Sequence, residues 1–363
     1  MIQLDAQVSV NIINGGLSFN IINYQDNTRR TMLHKASETG NLEVVKYLLR
    51  HLENNPQINS KDSKDYTALY LASENGHEKV VEQLIKNDNI DVNHQTEDGF
   101  TALYIASKKG HEKVVEQLRK HHNIDVNQQT ENGCTALYVA SKKGHEKVVE
   151  QLIKNDNINV NHQTENGDTA LHIASENGHE KVVEQLRKHH NIDVNQQTEN
   201  GDTALHIASK KGHEKVVEQL LKYDNINVNH QTKYGNTALY TACFYGHEKV
   251  VEQLLKYDNI NINLQQKDSL TAMNIAAFQG YEKVIAKLLN AHDIYVNIEP
   301  EDLSSALYIA CFYGEEKVVE ALCRHHNINI NLQQEDILRG LDIAYSKGHE
   351  KVVKQLVKLI YKS

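Results

Sequence analysis

Long apolar runs, proline and cysteine are scarce in this 363-residue chain. No segment approaches 18 consecutive apolar residues, so no membrane-spanning helix is expected. The first residues, MIQLDAQVSVNIINGGLSF, carry no basic stretch, apolar core or small-residue cleavage site, which excludes a secretory signal there. The four cysteines, Cys134, Cys243, Cys311 and Cys323, form no CxxC pair and are too few for a disulfide framework. Cys243 and Cys311 fill equivalent positions in TACFYG and IACFYG, as small buried helix residues would, in a chain suited to a reducing compartment. Net charge is −9, which argues against general binding to nucleic acid or anionic membrane but leaves room for a local basic patch. A cytoplasmic protein is expected, with delivery into a host cell by a route that reads other signals left open.

Signatures of catalysis are missing too. There is no GxSxG and no glycine-rich phosphate loop. Histidine followed by glutamate recurs, but as HEKVV, without the second histidine of a zinc protease HExxH. Equivalent histidines such as His77, His111 and His145 stand one repeat apart, about 8–10 Å if the repeats are packed helices, while zinc needs ligands at about 2 Å. The pairs His121-His122, His189-His190 and His325-His326 read as solvated loop. No enzyme, cofactor, metal site or small-molecule substrate is expected.

What the chain does contain is repetition. GHEKVVEQL begins at Gly76 and recurs at Gly110, Gly144, Gly178, Gly212 and Gly246, each 34 residues after the last. The register runs through Thr67, Thr101, Thr135, Thr169, Thr203, Thr237 and Thr271, and continues through Ser305 and Arg339. Thr31 precedes it by 36, with the two extra residues in HLENNPQ. Ten units result, spanning 31–363. Residues 20–30 read as a degenerate half repeat, because Ile22, Asn23 and Gln25 match the loop residues Ile262, Asn263 and Gln265; residues 1–19 form a tail with a weak hairpin signal at Asn14-Gly15-Gly16.

Within the unit Thr101–Cys134, Thr101 is suited to cap a short helix, Ala102–Ala106, and Gly110 to end it in the left-handed conformation. A second helix carries Val114, Val115 and Leu118 on one face, with Glu112, Lys113, Glu116 and Gln117 elsewhere. HNIDVNQQTENG then reads as an extended loop with a tight turn. One such pair cannot bury its apolar face alone, whereas stacked copies can. Helix, glycine, helix, NIDVN loop and TALH start resemble the ankyrin repeat over residues 20–363. The resemblance implies an all-α ankyrin-repeat solenoid, helix-turn-helix pairs joined by extended hairpin loops. Two features depart from the family pattern. Alanine replaces the proline after the threonine, and the period is 34 where 33 is usual, the extra residue lying between the second helix and DVN.

The repeated residues therefore hold the stack, and the asparagine eight residues before each threonine is expected to fix the loop backbone. The resemblance also permits hydroxylation of such an asparagine. Function is expected where repeats differ, and the family's architecture implies that hairpin tips and first-helix ends share one concave face. Before the glycine stand Lys108-Lys109, Lys142-Lys143 and Lys210-Lys211, then Phe244-Tyr245, Phe278-Gln279 and Phe312-Tyr313. Tyr66 and Phe100 precede the threonine, and Tyr234 lies at a tip. The later aromatics would form a ladder about 10 Å apart, either exposed as partner anchors or packed against the next repeat. The expected function is a monomeric, non-catalytic adaptor or scaffold binding one or more proteins along this face. A pathogen or viral effector that captures a host protein, and a salt-sensitive nucleic-acid binder using the lysine pairs, are the other readings.

Overall fold

The computed structural model describes residues 24–51, 56–291, 305–324 and 334–360. The hairpin at Asn14-Gly15-Gly16, the register residues Ile22 and Asn23, and His325-His326 lie outside them. The described residues are helical, with no strand among them beyond an isolated antiparallel bridge between Gln25 and Thr31. The chain divides into two units, residues 1–192 and 193–363.

The first unit contains α1 (Met32–Glu38), α2 (Leu42–His51), α3 (Ala68–Glu74), α4 (Glu78–Leu84) and α5 (Ala102–Lys109). It continues through α6 (Glu112–Leu118), α7 (Ala136–Lys143), α8 (Glu146–Leu152), α9 (Ala170–Glu176) and α10 (Glu180–Arg187). The second contains α11 (Ala204–Lys211), α12 (Glu214–Leu220), α13 (Ala238–Phe244), α14 (Glu248–Leu255) and α15 (Ala272–Phe278). After these come α16 (Glu282–Leu289), α17 (Ala306–Tyr313), α18 (Glu316–Arg324), α19 (Gln334–Ser346) and α20 (Glu350–Ile360). In each unit, first helices stack on first helices and second helices on second helices. Each unit is thus an all-α stack of helix pairs, the arrangement that the resemblance implies.

Each helix pair starts and stops for local reasons. The hydroxyls of Thr67, Thr101 and Thr135 accept from the backbone N–H groups of Tyr70, Tyr104 and Tyr138 at 3.1–3.2 Å, satisfying one of the donors a helix start leaves free. Gly110 takes φ +80°, where a side chain would be strained. The apolar face of the second helices is buried, as at Val114, Val115 and Leu118. Each such side chain contributes roughly 1.5–3 kcal/mol relative to exposure.

Within the units, the histidine of GHEKVVEQL couples a helix pair to its predecessor. His77, His111 and His145 each place Nε2 at 2.9–3.1 Å from a carbonyl at the end of the preceding first helix, those of Glu38, Glu74 and Lys108. Nε2–H donates, so an otherwise free helix-end carbonyl is satisfied from the next repeat. The ring lies across the preceding glycine: a Cβ on Gly40 would come within 2.6 Å of His77 Nδ1. That glycine is required twice, once for its φ of +72° and once for clearance.

Tips are joined in the same manner. Asn93 donates from Nδ2 to Asn123 O at 2.7 Å and accepts at Oδ1 from Asp125 N–H at 2.9 Å. Asn127 repeats the arrangement with Asn157 and Asn159. The asparagine thus fixes the following repeat's loop, a longer reach than local turn stabilisation. His94 and His162 likewise reach back, through Nε2, to the tip carbonyls of Asp65 and Gly133.

One boundary differs from the register. Arg339 falls inside α19, which begins at Gln334 rather than after residue 339. Arginine offers no side-chain acceptor to cap a helix there, so nothing in the side chain marks a start at 339. Gly340 is then helical and packs close to Cys311: an added Cβ would meet Sγ at 3.1 Å.

Candidate functional site

The residues that vary between repeats separate into three environments. Tyr66 and Phe100 are half-buried, packed on a small core of Tyr70, Leu71 and Ile105. Tyr66 stacks on Tyr70 with ring centroids 4.4 Å apart, and Phe100 on Tyr104 at 4.7 Å. Four residues separate the members of each pair, and the extended chain before the capping threonine folds the first ring back over the helix. Their main contacts are thus within the stack.

The lysine pairs lie at the ends of α5, α7 and α11. Lys109, Lys142, Lys143, Lys210 and Lys211 are exposed and Lys108 is half-buried. Lys108 Nζ sits 5.0 Å from the Phe100 ring centroid, a cation–π contact. Lys109 lies 3.8 Å from the Glu74 carboxylate, an exposed pair of little energetic weight.

The C-terminal aromatics differ. Phe244 is 38% exposed, Tyr245 43%, Phe278 41% and Tyr313 49%, with Tyr234 at 62% on its tip. Phe312 is half-buried. Phe244 and Tyr245 meet edge to face at 5.0 Å. Phe278 and Tyr313, from successive helix pairs, meet edge to face at 4.6 Å, and Phe312 lies 4.9 Å from Tyr313. Such geometry is the favoured one for aromatic pairs.

The expected ladder of rings about 10 Å apart is therefore corrected. Tyr313 stands one position later in its repeat than Phe278 does, so its ring leans back across the gap and closes it. Phe278, Phe312 and Tyr313 form one continuous aromatic surface on the ends of α15 and α17. Phe244 and Tyr245 form a second on α13, and Tyr234 makes no ring contact with either among the described residues. Lys347 Nζ covers the Phe312 ring at 4.3 Å, a neighbour that the sequence pattern did not single out. Exposed Leu338 and Tyr345 on α19 were also missed, Leu338 because the register at Arg339 placed the helix start after it.

Electrostatics add little chemistry. Among the described residues no group of three or more His, Cys, Asp or Glu side chains could hold a metal ion, and no helix is long and apolar enough to cross a membrane. Burial raises the thiols of Cys311 and Cys323 to about 12 and about 11, so they stay protonated and unreactive near neutrality.

Short helix pairs stacked at a fixed period and joined by tight tips define a helical repeat protein with a variable outer face. A family model for ankyrin repeats (3 copies) matches residues 10–96, 51–130, 118–198, 188–266 and 259–336. The chain belongs to the ankyrin repeat family, whose members are in general protein–protein interaction modules and typically non-catalytic. Among solved structures, the ankyrin repeat domain of Bcl-3, described as a unique member of the IkappaB protein family, aligns with a TM-score of 0.56 at 24% identity. The alignment covers 62% of this chain and 98% of that one. EF0377, an ankyrin repeat protein, aligns with a TM-score of 0.50 at 23% identity, covering 56% of this chain and all of its own. Both similarities concern the fold alone. Comparison with curated proteins found no match.

Proposed function

We propose that this protein is an adaptor or scaffold that binds a partner protein non-covalently through the aromatic surface of its second unit, centred on Phe278, Phe312 and Tyr313. The observation that supports this is the exposure of four large aromatics, Phe244, Tyr245, Phe278 and Tyr313, at first-helix ends. The equivalent positions in the first unit carry glutamate, threonine, asparagine and lysine. Rigid amphipathic rings supply contact area with little loss of side-chain entropy, which is why they dominate interface energetics. The lysine pairs lack such an anchor and belong to the rim in this reading. Binding uses no cofactor and no catalysis.

The test is affinity capture from a lysate of cells that make the protein. The intact chain is compared with a variant in which Phe244, Tyr245, Phe278, Phe312 and Tyr313 are all replaced by polar residues, with helicity checked by circular dichroism. Capture by the first and loss by the folded second supports the aromatic surface. Equal capture by both would place the site elsewhere.

A further inference from the structure

Beyond Asn41, which opens the second helix of the first described pair, the histidine that couples successive pairs is replaced at Tyr281 and at Glu315, and Glu315 alone puts a carboxylate there, beside the aromatic surface. His349 follows the rule, with Nε2 3.0 Å from Phe312 O, as His247 does with Lys210 O at 3.0 Å. One repeat before His349 the chain reads GEEKVV, and Glu315 stands where the histidine belongs. By the same 37-residue offset, its partner is the carbonyl of Phe278, at the end of α15. The Glu315 carboxylate does lie in the histidine's place, because a Cβ built on Gly280 would run into it. A carboxylate is an acceptor only. It cannot donate to Phe278 O, and no donor to that oxygen occurs among the described residues.

Two acceptors, a carboxylate and a helix-end carbonyl, are thus brought together at the foot of the Phe278–Tyr313 ring pair. The neighbouring carboxylates are already neutralised: Glu282 lies 3.9 Å from Lys317, and Glu316 3.2 Å from Lys351. Glu315 makes no ion pair among the described residues. At the equivalent position of another repeat, the Tyr245 and His247 rings lie nearly parallel with centroids 6.2 Å apart. Glu315 therefore holds its charge where that imidazole would stack, next to Tyr313. Lys347 is turned to the Phe312 ring at 4.3 Å, which shows that these rings accept a cation on their faces.

We infer that this place takes the guanidinium of an arginine presented by a partner protein. The inference rests on the aromatic surface being the partner-binding face. A guanidinium is planar, carries five N–H donors and stacks on aromatic rings. It can donate to the Glu315 carboxylate and to Phe278 O together while lying on Tyr313. An ammonium offers the charge without the plane or the fork. The missing histidine is then a local loss of stack coupling retained where binding needs it, the pattern expected of functional positions.

The test is an NMR titration of the full isotope-labelled chain with three probes: acetyl-arginine methylamide, the lysine analogue and the neutral citrulline analogue. Arginine is expected to shift the Gly280 and Tyr313–Glu316 amides saturably, lysine more weakly and citrulline not at all. Glu315→His restores the carbonyl donor, so it is expected to abolish the arginine shifts and to raise the melting midpoint. Equal shifts from citrulline, arginine shifts that persist in Glu315→His, or no saturable shift at these amides would each overturn the inference. In the capture experiment, Glu315→His capturing as much partner as the intact chain, while the aromatic variant captures none, would sink this inference alone. Undiminished capture by the aromatic variant would sink the proposed function itself.

Discussion

Ser73, Ser107, Ser141 and Ser175 are fully buried, and their hydroxyls have no hydrogen-bond partner. They occupy the same position in α3, α5, α7 and α9, six residues after the capping threonine. Ser37 and Ser209 are equivalent and likewise unpaired, whereas after Ser209 the position is held by Cys243, Ala277 and Cys311, which make no such demand. A buried unpaired hydroxyl costs roughly 1–3 kcal/mol, and alanine is the better helix former by about half a kcal/mol. Against this, removing one oxygen leaves a small void, which takes back a fraction of the gain. Each Ser→Ala change is therefore expected to stabilise the protein by about 1 kcal/mol, and sites one repeat apart should add nearly independently. Urea unfolding followed by circular dichroism would read this as a rise in midpoint at constant m-value, larger with each substitution. A loss of 1 kcal/mol or more at any one site would refute the reasoning, since it would mean that the hydroxyl has a partner worth keeping.

Three other expectations rest on the stack. Gly99→Ala should destabilise by about 1–2 kcal/mol, because φ there is +74° and the new Cβ would meet Thr130 Cα at 3.0 Å; thermal melting would show it, and an unchanged midpoint would contradict it. Asn127→Ala removes two hydrogen bonds to the following tip and should lower stability by about 1 kcal/mol, the groups being exposed, with faster amide exchange at Asn159 as its signature. Burial holds His206 at about 4 in the fold, with Nδ1 2.9 Å from the Thr203 hydroxyl and Nε2 3.0 Å from Asn236 O. Its unfolded value is near 6.5, so the unfolded chain binds the extra proton; stability from this group is full above about pH 6.5 and falls by about 3 kcal/mol as pH drops through 4. His206→Gln should flatten that part of the stability–pH profile, and an unaltered slope would show that other groups govern it.

The stack itself was largely legible in the sequence, because its determinants are local and repeat. Threonine caps, helix-ending glycines and a valine–valine–leucine face recur every 34 residues, and each has one physical reading. The partners of recurring polar residues were less so. Spacing shows that His111 and Asn93 recur, but only the packed stack shows that each bonds to an adjacent repeat, at Glu74 O and at Asn123 O. The site was legible as a set of residue types and not as a surface. Phe100, before its threonine, is folded onto Tyr104, whereas Phe278, at the end of its first helix, is left open beside Tyr313. Periodicity gives where each residue falls relative to its helix end, but not which way its ring turns against the neighbouring repeat. Glu315 did carry a sequence signal, GEEK in place of GHEK, but its meaning required the unpaired carbonyl opposite it.

Partner binding through the second unit's aromatic surface is tested most directly by placing a photo-cross-linking amino acid at Tyr313 in one chain and at Lys143 in another, then irradiating each in the lysate used for capture. Binding at the aromatic surface requires a discrete adduct from position 313 and none from position 143. Adducts from 143, or none from 313 while the chain still captures its partner, would contradict it.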